Sequence, residues 1–152
     1  MEKINKCDVI VVGAGPVGLV AGLALKQKGI SSVVIEADPQ GRPRPGSRAI
    51  YMHSATLKLL EEISKGLGFT LGRNGIIWPV KRTLYKGKEV YVRNYGFTDN
   101  TDQNKLPHFT ALHQDDIENH IYDACLDAGV EFVWDSPVKK LDITGAGVRL
   151  TT

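Results

Sequence analysis

The sequence predicts an α/β fold built around a parallel β-sheet, and three observations near its start predict it. An apolar run, Val9–Val12, is short, uncharged and followed by glycines, as a buried parallel strand is. A stretch with the composition of a helix then extends from residue 16 to about residue 28. A second apolar run, residues 33–35, ends at the acid Glu36. Strand, glycine turn, helix, strand and acid, in this order, indicate a Rossmann-like unit that binds a dinucleotide.

The glycines between the first strand and the helix each have a predicted task. Gly13 allows the tight turn out of the strand, and Gly15 lets the backbone approach a pyrophosphate. Gly18 lets the helix pack close to the strand, and Pro16 suits a first helical turn. Unpaired N–H groups and the helix dipole then make this helix start an anion site. The predicted cofactor-binding residues of this unit are Gly13, Ala14, Gly15, Pro16, Val17, Gly18, Glu36 and Ala37.

Glu36 narrows the choice of nucleotide. At the end of the second strand a carboxylate can accept hydrogen bonds from both hydroxyls of a ribose. The same charge disfavours a 2′-phosphate, so the expected ligand is FAD or NAD and not NADP. An NAD-dependent dehydrogenase uses the same fingerprint, but no catalytic constellation of His, Lys or Tyr accompanies it here.

Length and composition restrict the class of protein further. A chain of 152 residues can form one ordinary domain with a hydrophobic core. Its formal net charge of +2 does not indicate nucleic acid as a partner. Cys7 and Cys125 match no metal or redox spacing, and we expect both to be buried in a cytoplasmic protein. The uncharged segment 9–25 is short for a membrane span and contains several glycines, so we expect no stable membrane association.

Beyond Glu36 the pattern predicts a loop, a helix and a hairpin. Residues 38–47 are rich in proline, arginine and glycine and cannot form a helix. Ser47 or Arg48 is expected to open a helix, with apolar residues at helical spacing as far as residue 67. From residue 76 to residue 95 the hydrophobic period changes to two, around a turn at residues 86–88, which predicts a β-hairpin.

The last third of the chain returns to the α/β pattern. We expect a strand at residues 108–112, a helix from 114 to 127, a strand at 130–134 and a hairpin over 138–152. The sequence stops within this last strand, so the doubly wound domain looks unfinished. The histidines belong to no compact cluster, so no metal site is expected, and no catalytic triad can be recognised.

The order of these motifs resembles the N-terminal part of the FAD-dependent aromatic-ring monooxygenases, the group of para-hydroxybenzoate hydroxylase and phenol hydroxylase. The resemblance begins with Gly13-Ala14-Gly15-Pro16-Val17-Gly18-Leu19 and Glu36. It continues with Ser47-Arg48-Ala49 and with Thr56-Leu57-Lys58-Leu59-Leu60. It returns at Gln114, before the helical residues 117–126 and Gly129-Val130, and so spans nearly the whole chain.

The resemblance implies a Rossmann-like FAD-binding domain that is incomplete, formed by residues 1–75 and 107–152, with residues 76–106 as an inserted hairpin and loop of a substrate-binding region. Glu36 would bind the ribose of the adenosine half of FAD. Arg48 and Gln114 would contact the phosphate and ribose region of the flavin nucleotide. NAD(P)H would be the co-substrate that reduces FAD, and the reduced flavin would activate oxygen to hydroxylate a small phenolic compound. The oligomeric state, including a homo-oligomer, stays open.

The sequence also departs from that family. The Asp-Gly and Gly-Asp motifs that members carry further along the chain do not occur here, so we expect this chain alone to be inactive. Two other interpretations therefore remain open besides the dehydrogenase. The chain could belong to another FAD-dependent oxidoreductase of the same superfamily, or it could be a truncated, non-catalytic protein that binds only the ADP half of a dinucleotide.

Overall fold

The computed structural model describes residues 6–41, 48–95 and 105–152. The chain divides into two compact units. Unit 1 comprises residues 1–46 and 121–152, and unit 2 comprises residues 47–120. In the described residues the elements, in chain order, are β1 (Val9–Val12), α1 (Pro16–Gln27), β2 (Ser32–Ile35), β3 (Ala49–His53), α2 (Ser54–Ile63), α3 (Leu67–Asn74), β4 (Val80–Tyr85), β5 (Lys88–Asn94), β6 (Phe109–His113), α4 (Gln114–Ala128), β7 (Glu131–Val133), β8 (Lys140–Thr144) and β9 (Gly147–Thr151).

Unit 1 contains the predicted parallel sheet. Its strand order is β1-β2-β7, and both pairings are parallel. Val34 in the central strand pairs with Val11 on one side and Phe132 on the other, and it is fully buried. A parallel strand covered on both faces must be apolar throughout, which explains the run Val33, Val34 and Ile35.

Helix α1 packs against this sheet through a small set of close contacts. Leu19 and Leu23 on the helix are buried. Gly22 lies so close to β2 that an added Cβ would be 2.7 Å from a methyl carbon of Val34. The thiol of Cys125, from the second half of α4, donates to the carbonyl oxygen of Leu19 at 3.4 Å. The core of unit 1 therefore depends on close backbone approach as well as on apolar side chains.

Unit 2 contains an antiparallel pair of strands, β3 and β6. Helices α2 and α3 pack their apolar residues against this pair. Tyr51 pairs with Ala111 in this sheet. Leu57 and Leu71, from the two helices, are fully buried. Thr110 is also fully buried, and its hydroxyl has no hydrogen-bond partner among the described residues.

One sequence-based prediction for unit 2 is wrong. The pattern predicts a helix that opens at Ser47 or Arg48, but residues 49–53 form β3, and α2 begins only at Ser54. The expected helix is also divided, because α2 ends at Ile63 and the chain turns at Gly66, whose φ is +93°. The ladder to β6, nearly sixty residues away in sequence, provides β3 with its hydrogen bonds, and no local pattern reveals such a partner.

The two predicted hairpins are confirmed. β4 and β5 pair antiparallel around Lys86 and Gly87, both with positive φ, as a two-residue hairpin turn of the primed type requires. β8 and β9 pair in the same way around residues 145 and 146. The predicted strand at 108–112 is observed one residue later, as β6, and the predicted helix from 114 to 127 is observed as α4. The predicted loop at 38–47 lies largely outside the described residues, and the division at residues 76 and 106 stays a prediction.

Candidate functional site

The turn between β1 and α1 has the backbone that its glycines predict. Gly13 has φ +99°, a conformation that L side chains rarely adopt, and its N–H donates to the carbonyl oxygen of Ile35 at 2.7 Å. This bond ties the end of β1 to the end of β2. Gly15 is the N-cap of α1 in an extended conformation, and Pro16 follows at the first helical position. The predicted roles of Gly13 and Pro16 are therefore visible in the geometry.

Gly18 fixes the distance between helix and turn. A Cβ added at Gly18 would overlap the carbonyl oxygen of Gly13 and would lie 3.5 Å from a methyl carbon of Val11. Because the overlapping oxygen belongs to the backbone, only glycine is compatible with this packing. The helix start is thereby held directly beyond the carboxyl end of β1, where a parallel α/β sheet binds its ligands.

The electrostatics of this helix start favour an anion. In the described structure no side chain caps Gly15, and the first turn of α1 contains no acidic residue. The first N–H groups of a helix have no partner within the helix, and the helix dipole places partial positive charge there. Val17 is 84% exposed, so the surface above the turn is open. A pyrophosphate placed here would receive backbone N–H donors.

Glu36 lies at the carboxyl end of β2 and is already engaged with the turn. Its Oε2 accepts the N–H of Ala14 at 2.6 Å, and its Oε1 accepts the N–H of Asp38 at 3.1 Å. The half-buried carboxylate is thus aimed by two backbone donors on either side of it. A carboxylate offers roughly four acceptor positions on its two oxygens, which is the chemistry that a pair of ribose hydroxyls requires. Ala37, also predicted to bind the cofactor, is exposed beside it.

The other two predicted ligands, Arg48 and Gln114, belong to unit 2 and lie next to each other. The backbone N–H of Gln114 donates to the carbonyl oxygen of Arg48 at 2.7 Å. This bond continues the β3–β6 ladder by one residue. The side-chain amide of Gln114 donates to Oε1 of Glu118 at 2.7 Å, while Arg48 is exposed. The structure therefore pairs two residues that are 66 positions apart in sequence.

The remaining candidates that the sequence offers are its histidines, its cysteines and its apolar helices. His120 lies 3.3 Å from the side-chain amide of Asn74, and the described residues contain no group of three ligands suited to a metal. The thiol of Cys125 is fully buried, and this burial raises its pKa to about 12. Within the described ranges no helix combines the length and apolar character that a membrane crossing needs.

Sequence reasoning missed an aromatic cluster in unit 2. Tyr51 and Phe109 stack with ring centroids 4.8 Å apart, and Trp78 meets Phe109 edge-on at 5.5 Å. Desolvation, with a smaller contribution from Tyr95, raises the pKa of Tyr51. These residues lie around a cavity of about 530 Å³. We call this cavity the aromatic cleft; it is lined by Tyr51, His53, Trp78, Lys81, Arg93, Tyr95, His108 and Phe109.

The sequence contains the aromatic residues of the cleft, but they lie in separate segments of the chain. Trp78 and Tyr95 lie within the predicted hairpin, whereas the local pattern around Tyr51 predicts a helix that does not form. Only the antiparallel pairing of β3 with β6 places Tyr51 beside Phe109. Alternation within β3 and β6 could have identified the shared face, had the two strands been recognised as partners.

The parallel sheet, the glycine turn and the acid at the end of β2 define a Rossmann-like dinucleotide-binding domain. The family is shown by a sequence model described as "FAD binding domain", which matches residues 6–151. The chain therefore belongs to the FAD binding domain family, and the expected fold class is confirmed.

Individual relatives point to the same group. The chain is 28% identical over 153 residues to para-nitrophenol 4-monooxygenase of Pseudomonas sp. (strain WBC-3), a match that includes all of this chain and 36% of that protein. The crystal structure of p-nitrophenol 4-monooxygenase from Pseudomonas putida DLL-E4 superimposes with a TM-score of 0.70 at 24% identity, covering 93% of this chain and 38% of that one. A flavin-dependent monooxygenase crystallised with FAD and substrate, PieE, gives a TM-score of 0.67 at 20% identity, over 94% of this chain and 27% of that one.

These matches confirm the resemblance to FAD-dependent aromatic monooxygenases. They also show that the chain spans little more than a third of the length of the two p-nitrophenol monooxygenases and 27% of the length of PieE. The matches therefore establish the family of this chain, whereas its catalytic activity has to be proposed.

Proposed function

We propose that this chain is the FAD-binding part of a flavin-dependent monooxygenase that hydroxylates a small aromatic compound, with NAD(P)H and O2 as co-substrates. The observation that carries the proposal is the packing of Gly18 on the carbonyl oxygen of Gly13, which holds the start of α1 open for a pyrophosphate. Glu36, held by Ala14 and Asp38, supplies the acid for the adenosine ribose. The family match supports FAD among the possible dinucleotides.

In this proposal the protein contributes binding and orientation. FAD, when bound, supplies the redox chemistry that takes electrons from NAD(P)H and passes them to oxygen. The N–H groups at the start of α1 bind the pyrophosphate, and Glu36 orients the adenosine ribose. Arg48 and Gln114 are proposed to bind the phosphate and ribose region of the flavin nucleotide, supported by the bond that joins their backbones. We propose a cytoplasmic location for the protein.

The test is a titration of the 152-residue chain with FAD, followed by flavin fluorescence, with ADP and NAD as competitors. The proposal expects saturable FAD binding that ADP displaces only weakly, because ADP lacks the flavin half. Displacement by ADP at the same concentration as FAD would mean that only the adenosine half contributes to binding. Preference for NAD over FAD would contradict the proposal.

A variant at Gly15 locates the binding. Gly15 has φ −74° and ψ −178°, an extended backbone that valine also adopts, so Gly15→Val is expected to keep the fold. Its side chain would occupy the space of the pyrophosphate, and FAD binding should be lost. Gly145→Val is the matched control, because a Cβ at Gly145 meets nothing within 4 Å. Unchanged FAD affinity in Gly15→Val, with an unchanged circular dichroism spectrum, would show that the nucleotide binds elsewhere.

A further inference from the structure

Helix α4 buries a carboxylate among apolar side chains. Glu118 is 5% exposed, and its neighbours on the helix, Ile117 and Ile121, are buried as well. No other charged side chain is buried in the part of the chain that the structure describes. Burial of a carboxylate is unfavourable unless hydrogen bonds compensate it, and an apolar side chain of similar volume avoids that cost. Packing alone therefore does not explain why this position carries a carboxylate.

The carboxylate of Glu118 accepts a hydrogen bond from a residue that is predicted to contact the nucleotide. The side-chain amide of Gln114 donates from Nε2 to Oε1 of Glu118 at 2.7 Å. The two residues are four positions apart on α4, and side chains at this spacing are neighbours on a helix surface. A hydrogen bond to an ionised acceptor is stronger than one between neutral groups, so this contact restrains the Gln114 side chain.

The charge of Glu118 also decides which way the Gln114 amide points. A carboxylate only accepts hydrogen bonds, so it selects the NH2 group of the amide and not the carbonyl oxygen. Oε1 of Gln114 is thereby directed away from Glu118, and among the described residues no group donates to it. A ligand hydroxyl can donate to this oxygen, whereas a phosphate oxygen cannot.

The backbone of Gln114 is held separately from its side chain. Its N–H donates to the carbonyl oxygen of Arg48 at 2.7 Å, and the residue is half-buried at the start of α4. Because Arg48 fixes the backbone and Glu118 fixes the amide, Gln114 loses little conformational freedom when a ligand binds. Preorganisation of this kind raises affinity without adding a contact to the ligand.

We propose that Glu118 is a positioning residue of the nucleotide site, which orients the side-chain amide of Gln114 for contact with the flavin half of FAD. The inference rests on the proposed function, from which it takes the assignment of Gln114 to the flavin nucleotide. Glu118 itself is buried and acts only through Gln114. Loss of its charge therefore weakens FAD while Gln114 is present and has no effect once Gln114 is replaced.

The first experiment is a double-mutant cycle on FAD binding. Glu118→Gln keeps the shape of the side chain, but its amide can face Gln114 in either direction, so the orientation of Gln114 is no longer fixed. Gln114→Met removes the amide and keeps the length of the side chain. Each single variant is expected to weaken FAD by about threefold or more, and the double variant should bind FAD as Gln114→Met alone does.

Two controls separate positioning from a structural role. Asp123→Asn also converts a carboxylate of α4 to an amide, but at an exposed position, so FAD affinity should not change. ADP lacks the flavin half and should bind every variant as it binds the unmodified chain. A weakening of ADP by Glu118→Gln would assign Glu118 to the fold and overturn the inference. Unchanged FAD affinity in either single variant would overturn it as well.

Nuclear magnetic resonance of the chain without FAD tests the orientation directly. The side-chain amide signals of Gln114 are assigned by their loss in Gln114→Met, and those of exposed Gln27 provide the reference. One amide proton of Gln114 should lie downfield of its counterpart in Gln27 and exchange more slowly with water, and Glu118→Gln should reduce both differences. Signals that match those of Gln27 would overturn the inference, and this result is obtained even if Glu118→Gln does not fold.

The binding measurements distinguish this inference from the proposed function. If the unmodified chain does not bind FAD, both are contradicted. If it binds FAD and Glu118→Gln weakens binding equally with and without the Gln114 side chain, the inference alone is contradicted. The proposed function is then unaffected, because its pyrophosphate and adenosine contacts do not involve Glu118.

Discussion

The carboxylate of Glu36 accepts the backbone N–H of Ala14 at 2.6 Å, across 22 positions of sequence. Ala14 is buried at the centre of the glycine turn, so the acid predicted to bind ribose also stabilises the loop predicted to bind pyrophosphate. The two halves of the fingerprint are therefore coupled before any nucleotide binds. Loss of the acid should alter both the affinity for the nucleotide and the stability of the turn.

Glu36→Ala tests this double role. A hydrogen bond to a charged group contributes about 1.5–3 kcal/mol, so FAD affinity should fall by roughly 10- to 150-fold. The free energy of unfolding should also fall, by about 1–3 kcal/mol, because the hydrogen bond from the N–H of buried Ala14 to the carboxylate is lost. FAD titration and urea denaturation measure the two effects separately.

Two further variants interpret that result. Glu36→Gln keeps one side-chain oxygen as an acceptor, so it should lose less stability than Glu36→Ala. Glu62→Ala, at an exposed position on α2, is the matched control and should change neither quantity measurably. An unchanged unfolding free energy in Glu36→Ala would refute the coupling between acid and turn.

Gly18→Ala is expected to lower the stability of the chain more than one added methyl group usually does. The new Cβ would need space occupied by the carbonyl oxygen of Gly13, which belongs to the backbone and cannot rotate away. Overpacking of this kind costs about 1–3 kcal/mol of stability, and the displaced turn should weaken FAD binding as well. Gly145→Ala adds the same methyl group in open space and should be neutral. Thermal unfolding of the two variants provides the comparison, and equal unfolding temperatures would exclude tight packing at Gly18.

The part of unit 1 from β1 to Glu36 could be predicted from the sequence in detail because its signals are local. The apolar run of β1, the glycines and Glu36 follow one another closely along the chain, and each has a conformational reason for its place. Gly13 needs a positive φ, and Gly18 needs the absence of a Cβ. The assignment of Arg48 and Gln114 to FAD stays a prediction, because their pairing with each other does not identify what they bind.

Unit 2 was harder to predict because its contacts are distant in sequence. Residues 49–53 have an ambiguous local pattern, and their pairing with β6 decides their structure. The aromatic cleft follows from that same pairing, so the error about β3 also concealed the cleft. When the structure of a strand depends on a partner that is distant in sequence, the local pattern alone can predict it as part of the neighbouring helix, as it did for β3 and α2.

Thr110→Val is expected to stabilise the chain. The hydroxyl of Thr110 is fully buried and has no hydrogen-bond partner among the described residues. Burial of an unpaired hydroxyl costs about 1–3 kcal/mol, and valine has nearly the same shape without that cost. The free energy of unfolding in urea should rise by about 1 kcal/mol.

Thr144→Val is the control for that substitution. The hydroxyl of Thr144 donates to the carbonyl oxygen of Gly147 at 3.1 Å and accepts the N–H of Ala146 at 3.3 Å. Removal of the Thr144 hydroxyl should leave the free energy of unfolding unchanged or lower it slightly. If Thr110→Val is less stable than the unmodified chain, a partner for the buried hydroxyl must exist.

Cys125 should be chemically silent in the folded chain. Burial raises the pKa of its thiol to about 12, so almost no thiolate is present near neutral pH, and its sulfur is inaccessible as well. In a Cys7→Ser variant, where Cys125 is the only thiol, Ellman's reagent should react slowly in buffer and at once in urea. Rapid labelling in buffer would mean that the contact between Cys125 and Leu19 opens readily.

The raised pKa of the Cys125 thiol predicts that the free energy of unfolding falls at alkaline pH. Burial raises its pKa from the ordinary value of 9.0 to about 12 in the fold, so the unfolded chain releases this proton first. The resulting contribution to stability is complete below about pH 9 and is lost as the pH rises towards about 12. Lysines and tyrosines titrate in the same range, so the unmodified chain must be compared with Cys125→Ala at each pH. The difference in unfolding free energy between the two should shrink as the pH rises from about 8 to about 11. A constant difference would mean that Cys125 keeps an ordinary pKa in the fold.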